Sequence, residues 1–165
     1  MLINQDRFDN VFDEVKDLTC RGDVAVFVFV SMDCDGLCAT HILKALFDYE
    51  HIRYSIHAIS GYTDLKENFS EMIGEQDGPC AAFLINCGAN TNVQEYLELD
   101  KYPGLVLTIV DSHRPMDLAN IQDPDEDCQH KVYVIDSGDP DEDKPPDFSI
   151  LDEMDSESEK SGSDS

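Results

Sequence analysis

The chain has 165 residues, enough for one domain with a substantial hydrophobic core. It carries 36 acidic and 11 basic side chains, so its formal net charge is −25 at pH 7. A surface this negative repels free nucleic acid and offers no phosphate-neutralising face, which argues against DNA binding by this chain alone. The first ten residues lack the basic and apolar regions of a secretory signal, and no apolar run reaches the roughly 20 residues of a membrane span. We therefore expect an intracellular protein without a membrane anchor.

Cysteine usage points to a reducing compartment. The sequence contains no C-x-x-C pair and no zinc-finger spacing of cysteine with histidine, so neither a zinc site nor a disulfide framework is indicated. Most of the cysteines lie inside apolar segments, which predicts buried, reduced thiols. They are Cys20, Cys34, Cys38, Cys80, Cys87 and Cys128.

Short apolar runs recur along the chain and predict five strands. The first, third and fourth runs are almost continuously apolar, which is typical of strands that are covered on both faces. The predicted strands are Asp23–Ser31, Tyr54–Ser60, Cys80–Asn86, Leu105–Asp111 and Lys131–Asp136.

Helical patterns separate these strands. A leading helix before Asp23 is indicated by apolar residues at a 3.6-residue period, and three more helices are predicted at Leu37–Asp48, Thr63–Ile73 and Thr91–Leu99. Strands that alternate with helices predict an α/β fold with a doubly wound, mostly parallel five-stranded sheet. The apolar positions used for the leading helix are Phe8, Val11, Phe12, Val15 and Leu18, and those for the second helix are Leu37, Ile42, Ala45 and Leu46. Thr63 is the predicted N-cap of the third helix, with Lys66 at its third position.

The composition changes near residue 139. Residues 139–165 carry 11 acidic and 2 basic side chains, three prolines and few large apolar residues, which predicts a disordered, serine-rich acidic segment after a folded domain at 1–138. One apolar patch, Phe148–Met154, is a candidate for a transient helix or for docking on a partner. The serines among the acids suit phosphorylation, with a merely solvated tail as the alternative.

Polar motifs follow three of the predicted strands. S-M-D-C-D-G begins at Ser31, N-C-G begins at Asn86, and D-S-H-R-P begins at Asp111. In an open α/β sheet the carboxyl ends of the strands border one crevice, so these side chains are expected to lie together. Carboxylate oxygens with an imidazole suit Mn²⁺ or Mg²⁺. The candidate metal ligands are Asp33, Asp35, Asp111 and His113.

These motifs resemble the three leading motifs of the DHH phosphoesterase superfamily, which includes the RecJ exonucleases and reads approximately D-x-D-x-D-G, V-D-x-G and D-H-H-x-P. The chain departs from that pattern where Ser31, Asn86 and Ser112 stand in place of two aspartates and a histidine. These departures resemble the eukaryotic cell division control protein 45 family. So do three longer stretches around the motifs, L-C-A-T, L-I-N-C-G-A-N and V-D-S-H-R-P. The resemblance extends from the leading helix through the fifth strand and into the acidic segment. Family members are much longer, so the chain is expected to correspond to their N-terminal part.

The resemblance implies a nuclear replication factor that joins the MCM hexamer, the GINS complex and other replication-fork proteins to complete the replicative helicase. The sequence contains no G-x-x-x-x-G-K-[ST] motif, consistent with a subunit that is not itself the ATPase. Single-stranded DNA binding by full-length members is expected to use regions absent from this chain. Here Tyr62 and Tyr102 are the aromatic side chains considered for base stacking, although no basic groove accompanies them.

Two interpretations of the strand-end motifs compete. A two-metal phosphoesterase site brings about four positive charges, and the three replacements remove two carboxylates and an imidazole, which favours a relic site without cofactor. The alternative is a manganese-dependent phosphoesterase with a degraded site, holding Mn²⁺ or Mg²⁺ weakly. In the relic, Asp33 or Asp35 caps the following helix, Asp111 pairs with His113, and Arg114 bonds a carboxylate. The relic positions are Ser31, Asp33, Asp35, Gly36, Asn86, Gly88, Asp111, Ser112, His113 and Arg114.

Overall fold

The computed structural model describes residues 1–21, 25–122 and 128–136. The six strands of this part form one sheet in the order β1-β6-β5-β4-β2-β3, and every neighbouring pair is parallel. The strands are β1 Leu2–Asn4, β2 Val26–Ser31, β3 Tyr54–Ile59, β4 Ala81–Ile85, β5 Val106–Val110 and β6 Lys131–Asp136. The helices are α1 Phe8–Arg21, α2 Cys34–Tyr49, α3 Tyr62–Gly74, α4 Val93–Tyr96 and α5 Leu118–Ile121, with 3₁₀ turns at Gln5–Arg7 and Leu99–Lys101.

The sheet is doubly wound, as the alternation of strands and helices predicts. From β2 the chain moves outward to β3, then returns to the other side of β2 to form β4, and continues through β5 to β6. The strand order therefore reverses between β2 and β4. Ligand crevices of open α/β sheets lie at such a switch point, outside the carboxyl ends of the strands.

Two apolar layers cover the sheet. On one face, Phe12 of α1 and Phe47 of α2 stack with ring centroids 6.0 Å apart, and Phe47 meets Phe83 of β4 edge to face at 5.7 Å. On the other face, Phe69 of α3 contacts Phe29 of β2 at 5.4 Å. Each fully buried phenylalanine contributes roughly 1.5–3 kcal/mol through removal from water. Burial on both faces explains why β2, β4 and β5 are nearly continuously apolar.

The prediction of five strands was incomplete, because β1 adds a sixth. Its three residues pair with β6 in the register Leu2 to Val134, and the Met1 ammonium donates to the carbonyl of Val132 at 2.8 Å. A strand this short shows no periodicity, so its sequence carries no recognisable signal.

The predicted apolar face of α2 holds only for Leu46, which packs partly buried against the core. The buried residues of this helix are Gly36, Thr40, Leu43 and Phe47, whereas Leu37 and Ile42 are 70% and 72% exposed. The helix also begins earlier than predicted, at Cys34. Small side chains at positions 36 and 40 bring its first turns close to the sheet, and a search for large apolar residues does not find them.

Two helix starts also differ from the prediction. The N-cap of α3 is Gly61 instead of Thr63, and the Asp64 carboxylate of the first turn accepts bonds from the Ser60 amide at 2.8 Å and hydroxyl at 2.9 Å. The fourth predicted helix, 91–99, is shorter, with α4 capped by Asn92 and followed by a 3₁₀ turn.

The cysteine prediction holds only in part. All six cysteines are free, but Cys20, Cys34 and Cys38 are exposed and only Cys80 is fully buried. In the described part of the chain, no helix is long and apolar enough to cross a membrane. The predicted boundary at 138, the acidic segment and the patch Phe148–Met154 lie outside the described residues.

Candidate functional site

The Asp33 carboxylate joins β2 to α2 as the N-cap of the helix. Its Oδ1 accepts a hydrogen bond from the Gly36 amide at 2.7 Å. A Cβ atom on Gly36 would lie 2.5 Å from the Ser31 carbonyl oxygen, so only glycine allows this close approach of backbone to backbone. Of the two aspartates considered for the cap, Asp33 therefore fills the role and Asp35 does not.

The second oxygen of Asp33 is bound by Asn86 across the switch point. The Asn86 side-chain amide donates to Asp33 Oδ2 at 2.9 Å, and the two residues are 53 positions apart in the chain. Asn86 follows β4 in the left-handed region at φ 55°, where asparagine is tolerated better than most residues. Its backbone amide donates to the Val110 carbonyl at 2.8 Å. The bridge thus joins the carboxyl ends of β2 and β4.

Neutral donors keep Asp33 ionised. The Ser31 hydroxyl, the Gly36 amide and the Asn86 amide together lower the pKa of Asp33 to about 2 from an ordinary value of 3.8. Hydrogen bonds to the charged form of a carboxyl group have this effect. The carboxylate is therefore charged at physiological pH and satisfied by protein groups.

Asp111 occupies the end of β5 with a fully buried side chain. Its Oδ2 accepts from the Ala89 amide at 2.9 Å, and its Oδ1 accepts from the His113 amide at 3.0 Å. His113 Nδ1 lies 2.6 Å from the same Oδ1 and donates to it, while the imidazole is 55% exposed. The predicted Asp111–His113 pair is present, and the bond from the Ala89 amide to Asp111 holds the loop after β4 against the loop after β5.

The remaining predicted residues surround this pair. Arg114 NH2 lies 3.3 Å from Asp136 Oδ1 at the end of β6, which is the predicted bond from Arg114 to a carboxylate. Gly88 has φ 99°, and a Cβ there would lie 2.8 Å from Leu84 Cδ1, so the turn after β4 requires glycine. Asp35 and Ser112 are exposed.

Two clefts open at this edge of the sheet, with volumes of about 210 Å³ and about 300 Å³. Asn86 lines both of them, so the clefts meet at this side chain. The smaller is lined by Ser31, Ile59, Ser60, Gly61, Tyr62, Asn86, Cys87, Asn90 and His113. The larger is lined by Gln5, Asp35, Ala39, Asn86, Val110, Asp111, Ser112, Arg114 and Ile135.

The donor set does not fit a metal centre of the DHH type. Among the described residues, no three histidine, cysteine, aspartate or glutamate side chains converge as metal ligands. Both oxygens of Asp33 and both oxygens of Asp111 already accept hydrogen bonds from the protein. A divalent ion here would have to displace amide donors that hold the loops together.

The Cys87 thiol in the smaller cleft is held in its protonated form. Burial, followed by the negative charges of Asp111 and Asp33, raises its pKa to about 12. The thiolate is the reactive form of cysteine, and almost none exists at neutral pH.

Asn120 organises the site, and the sequence analysis missed it. This fully buried side chain accepts from the Val93 amide at 3.1 Å and donates to the Gly88 carbonyl at 3.1 Å and the Thr91 carbonyl at 2.7 Å. It thereby ties α5 to the loop that carries Gly88. An isolated asparagine in a polar stretch carries no signal for such a role.

The two tyrosines considered for base stacking lie apart. The Tyr62 hydroxyl donates to Asn90 Oδ1 at 2.6 Å beside the smaller cleft. Tyr102 packs edge to face on Phe69 at 5.7 Å and precedes β5, at the opposite edge of the sheet. Tyr102 is therefore not part of this site.

The chain has a DHH-like fold, built on a doubly wound parallel sheet with acidic motifs after β2 and β5. The crystal structure of RecJ in complex with Mn²⁺ from Thermus thermophilus matches 83% of this chain and 18% of that chain, with a TM-score of 0.53 and 19% identity. At that identity the likeness establishes the shared fold alone.

The chain belongs to the cell division control protein 45 family, since the CDC45 family model matches residues 26–165. The crystal structure of CDC45 from Entamoeba histolytica matches 87% of this chain and 27% of that chain, with a TM-score of 0.72 and 23% identity. The cell division control protein 45 homolog of Dictyostelium discoideum is 32% identical over 139 residues, covering 84% of this chain and 20% of the relative. The homolog of Schizosaccharomyces pombe is 29% identical over 138 residues, covering 84% of this chain and 20% of that relative. The chain spans about a fifth of the length of these curated relatives.

Proposed function

We propose that this chain acts in DNA replication as a non-catalytic subunit of the replicative helicase, together with the MCM hexamer and the GINS complex. It corresponds to the N-terminal part of the longer family members, which has the DHH-like fold. It acts in the nucleus. Family membership and the names of the curated relatives, cell division control protein 45 homologs, support the replication role.

The Asn86–Asp33 bridge is the observation that carries the non-catalytic part of the proposal. A metal-dependent phosphoesterase needs carboxylates to balance its divalent ions and to position water for attack on phosphorus. Here a neutral amide meets the Asp33 carboxylate at 2.9 Å, and Asp111 is held by two backbone amides. These groups stabilise the loops in the way that a bound ion would otherwise do.

Charge supports a protein partner over free nucleic acid. The net charge is −25, and Arg114 beside the larger cleft is paired with Asp136. Single-stranded DNA therefore contacts regions of the family-length protein that lie beyond this chain. The acidic surface favours instead a partner with basic groups at the interface.

The competing proposal is a manganese-dependent phosphoesterase. It draws on the Asp111–His113 pair, whose half-exposed imidazole lines the smaller cleft, and on the RecJ structure with Mn²⁺. It requires metal binding by residues whose oxygens are already bonded.

One experiment separates the two proposals. The purified chain is mixed with purified MCM hexamer and GINS complex and run on a sizing column, and in parallel it is incubated with Mn²⁺ and a labelled single-stranded oligonucleotide. We expect co-elution with the helicase subunits and no phosphodiester cleavage above that of a D33A control. Cleavage that the D33A substitution abolishes, without co-elution, would establish the phosphoesterase instead.

A further inference from the structure

The exposed large apolar side chains of the described residues are confined to a short part of the chain. All of them lie between positions 32 and 56, on α2, on the turn that precedes it, or on β3. They are Met32 at 69% exposure, Leu37 at 70%, Ile42 at 72%, Tyr49 at 79% and Ile56 at 40%. Scattered single apolar residues are normal on a protein surface, whereas a cluster of them marks an interaction site.

Helical spacing turns the part of this cluster on α2 into a continuous stripe. Cys34, Cys38, Ile42, Ala45 and Tyr49 follow one another at steps of four, four, three and four residues, and every one is exposed. Residues at these spacings lie side by side on a helix. We call this stripe the α2 outer face. At 1.5 Å per residue it is about 22 Å long.

The α2 outer face carries no charged side chain. The charged residues of α2 are Asp35, Lys44 and Asp48. Lys44 pairs with Asp48 at 2.7 Å, and Asp48 accepts from the Tyr54 hydroxyl at 2.8 Å, so this pair lies on the side that faces β3. An uncharged helix face is notable in a chain of which 28% of the residues are charged.

The opposite face of α2 is already buried. Gly36, Thr40, Leu43 and Phe47 pack on the sheet, so the side of the helix toward the core and the α2 outer face are both uncharged, while Lys44 and Asp48 lie on the flank beside β3. A contiguous strip of exposed apolar side chains on a helix is typical of a contact surface. In the described part of the chain, nothing covers the outer face.

We propose that the α2 outer face binds an apolar segment of a partner protein that is flanked by basic residues. Asp35 stands at the start of the face; Asp48 and Glu50 at its end are paired with Lys44 and Lys16, both at 2.7 Å, so the preference for basic flanks comes mainly from the net charge of −25. Apolar residues at the centre of an interface supply most of its affinity, while the charged rim selects the partner. None of the side chains of the α2 outer face lines either strand-end cleft, so the inference holds whether or not those clefts are catalytic.

Charge favours a basic partner segment over a second copy of the chain and over the chain's own patch Phe148–Met154. A second copy of the chain would bring a net charge of −25 against the same charge. The apolar patch Phe148–Met154 of the chain itself contains Asp152 and Glu153 and follows Asp147, so it is acidic as well. Like charges across an interface suppress association.

The test uses two synthetic helical peptides of equal positive charge as probes. One carries leucines at helical spacing with lysines elsewhere, and in the other the leucines are replaced by serines. We expect the leucine peptide to bind the full chain about tenfold more tightly than the serine peptide, and the I42S/Y49S variant to lose about that factor. I56S is the matched control, because it removes an exposed apolar side chain outside the α2 outer face, and it should leave the affinity within about twofold.

Native cysteines give a second readout of the same binding. Cys38 lies on the α2 outer face and Cys20 lies on α1, and both are exposed. Alkylation of Cys38 should slow when the leucine peptide is bound, with the rate at Cys20 unchanged. Equal binding to wild type and I42S/Y49S, with no protection of Cys38, would overturn the proposal.

Two further outcomes would also overturn it by identifying another occupant. A dimer in sedimentation experiments that I42S/Y49S abolishes would assign the face to a second copy. Faster alkylation of Cys38 in an F148S/L151S variant than in wild type, without peptide, would assign it to the acidic segment of the chain itself.

Discussion

The side-chain amide of Asn86 donates to the Asp33 carboxylate at 2.9 Å, across the point where the strand order of the sheet reverses. At this crevice an α/β enzyme binds its ligand. In this chain the crevice is bridged by a bond within the protein, and the clefts on either side share Asn86. The bridge is therefore the feature from which the strand-end site is best tested.

The N86D substitution should place a second carboxylate beside Asp33. Loss of the hydrogen bond and repulsion between the two charges should lower stability at pH 7 by about 1–2 kcal/mol. Millimolar Mn²⁺ should restore part of this loss, because the ion neutralises the pair. The measurement is the thermal midpoint with and without Mn²⁺.

The control for that substitution is N90D. Asn90 lines the smaller cleft and accepts a hydrogen bond from Tyr62 at 2.6 Å, which a carboxylate also accepts. N90D adds the same charge in the same cleft without facing Asp33, so its midpoint should not respond to Mn²⁺. Identical behaviour of N86D and N90D would show that the bridge is unimportant.

Asp33 should make stability depend on pH in the acid range. Its folded pKa of about 2 lies below its ordinary value of 3.8, so the folded state holds the ionised form more strongly than the unfolded state does. The resulting stability is present above about pH 4 and is lost as the pH falls toward about 2. Urea unfolding of wild type and D33N between about pH 5 and about pH 2.5 should show a difference that shrinks as the pH falls. A difference that is constant over this range would contradict the lowered pKa.

The G36A substitution should destabilise the start of α2. Its Cβ would stand 2.5 Å from the Ser31 carbonyl oxygen, a backbone atom that cannot move aside cheaply. We expect a loss of about 2–3 kcal/mol in the free energy of unfolding measured in urea. G74A at the end of α3 is the matched control, since a Cβ there meets nothing within 4 Å. It should be neutral or stabilising by up to about 1 kcal/mol, and equal losses in the two variants would refute the close approach.

Removal of the Asp111 side chain should loosen two loops at once. In D111A the buried Ala89 amide, 2.9 Å from Oδ2 in wild type, loses its acceptor, and so does the His113 amide. A loss of about 2–3 kcal/mol is expected from the unsatisfied buried donors. S112A changes the exposed neighbour and should stay within about 0.5 kcal/mol of wild type. Amide hydrogen exchange at Ala89 should increase in D111A alone, and unchanged exchange there would count against the assigned bond.

Much of the fold follows from local patterns. The five longer strands are short, mostly apolar runs, and the structure places each within a few residues of its predicted limits. β1 could not be predicted, because three residues carry no period. Its position depends on the pairing of Leu2 with Val134, which are far apart in sequence.

The face of α2 shows why periodicity alone is insufficient. Ile42 and Leu46 lie at the same spacing of four residues as Leu43 and Phe47, yet only the second pair lies among the buried residues of the core. Gly36 determines which face is buried, because its lack of a side chain lets the helix approach β2. A pattern of large apolar residues does not include such a position.

The sequence predicts which residues lie at the site but not which hydrogen bonds they form. The three motifs identify the strand ends, and Asp33, Asn86, Asp111 and His113 lie there as expected. The bond between Asn86 and Asp33 joins residues 53 positions apart and depends on the strand order. Asn120 was missed for the same reason, because its partners are backbone groups of a distant loop.

The most direct test of the central claim is a calorimetric titration of the purified, folded wild-type chain with Mn²⁺, with D33A as the control. If the protein's own amides satisfy Asp33 and Asp111, the titration should show no saturable heat up to millimolar Mn²⁺, and D33A should give the same trace. Saturable binding in the micromolar range that D33A abolishes would contradict the account and identify a working metal site.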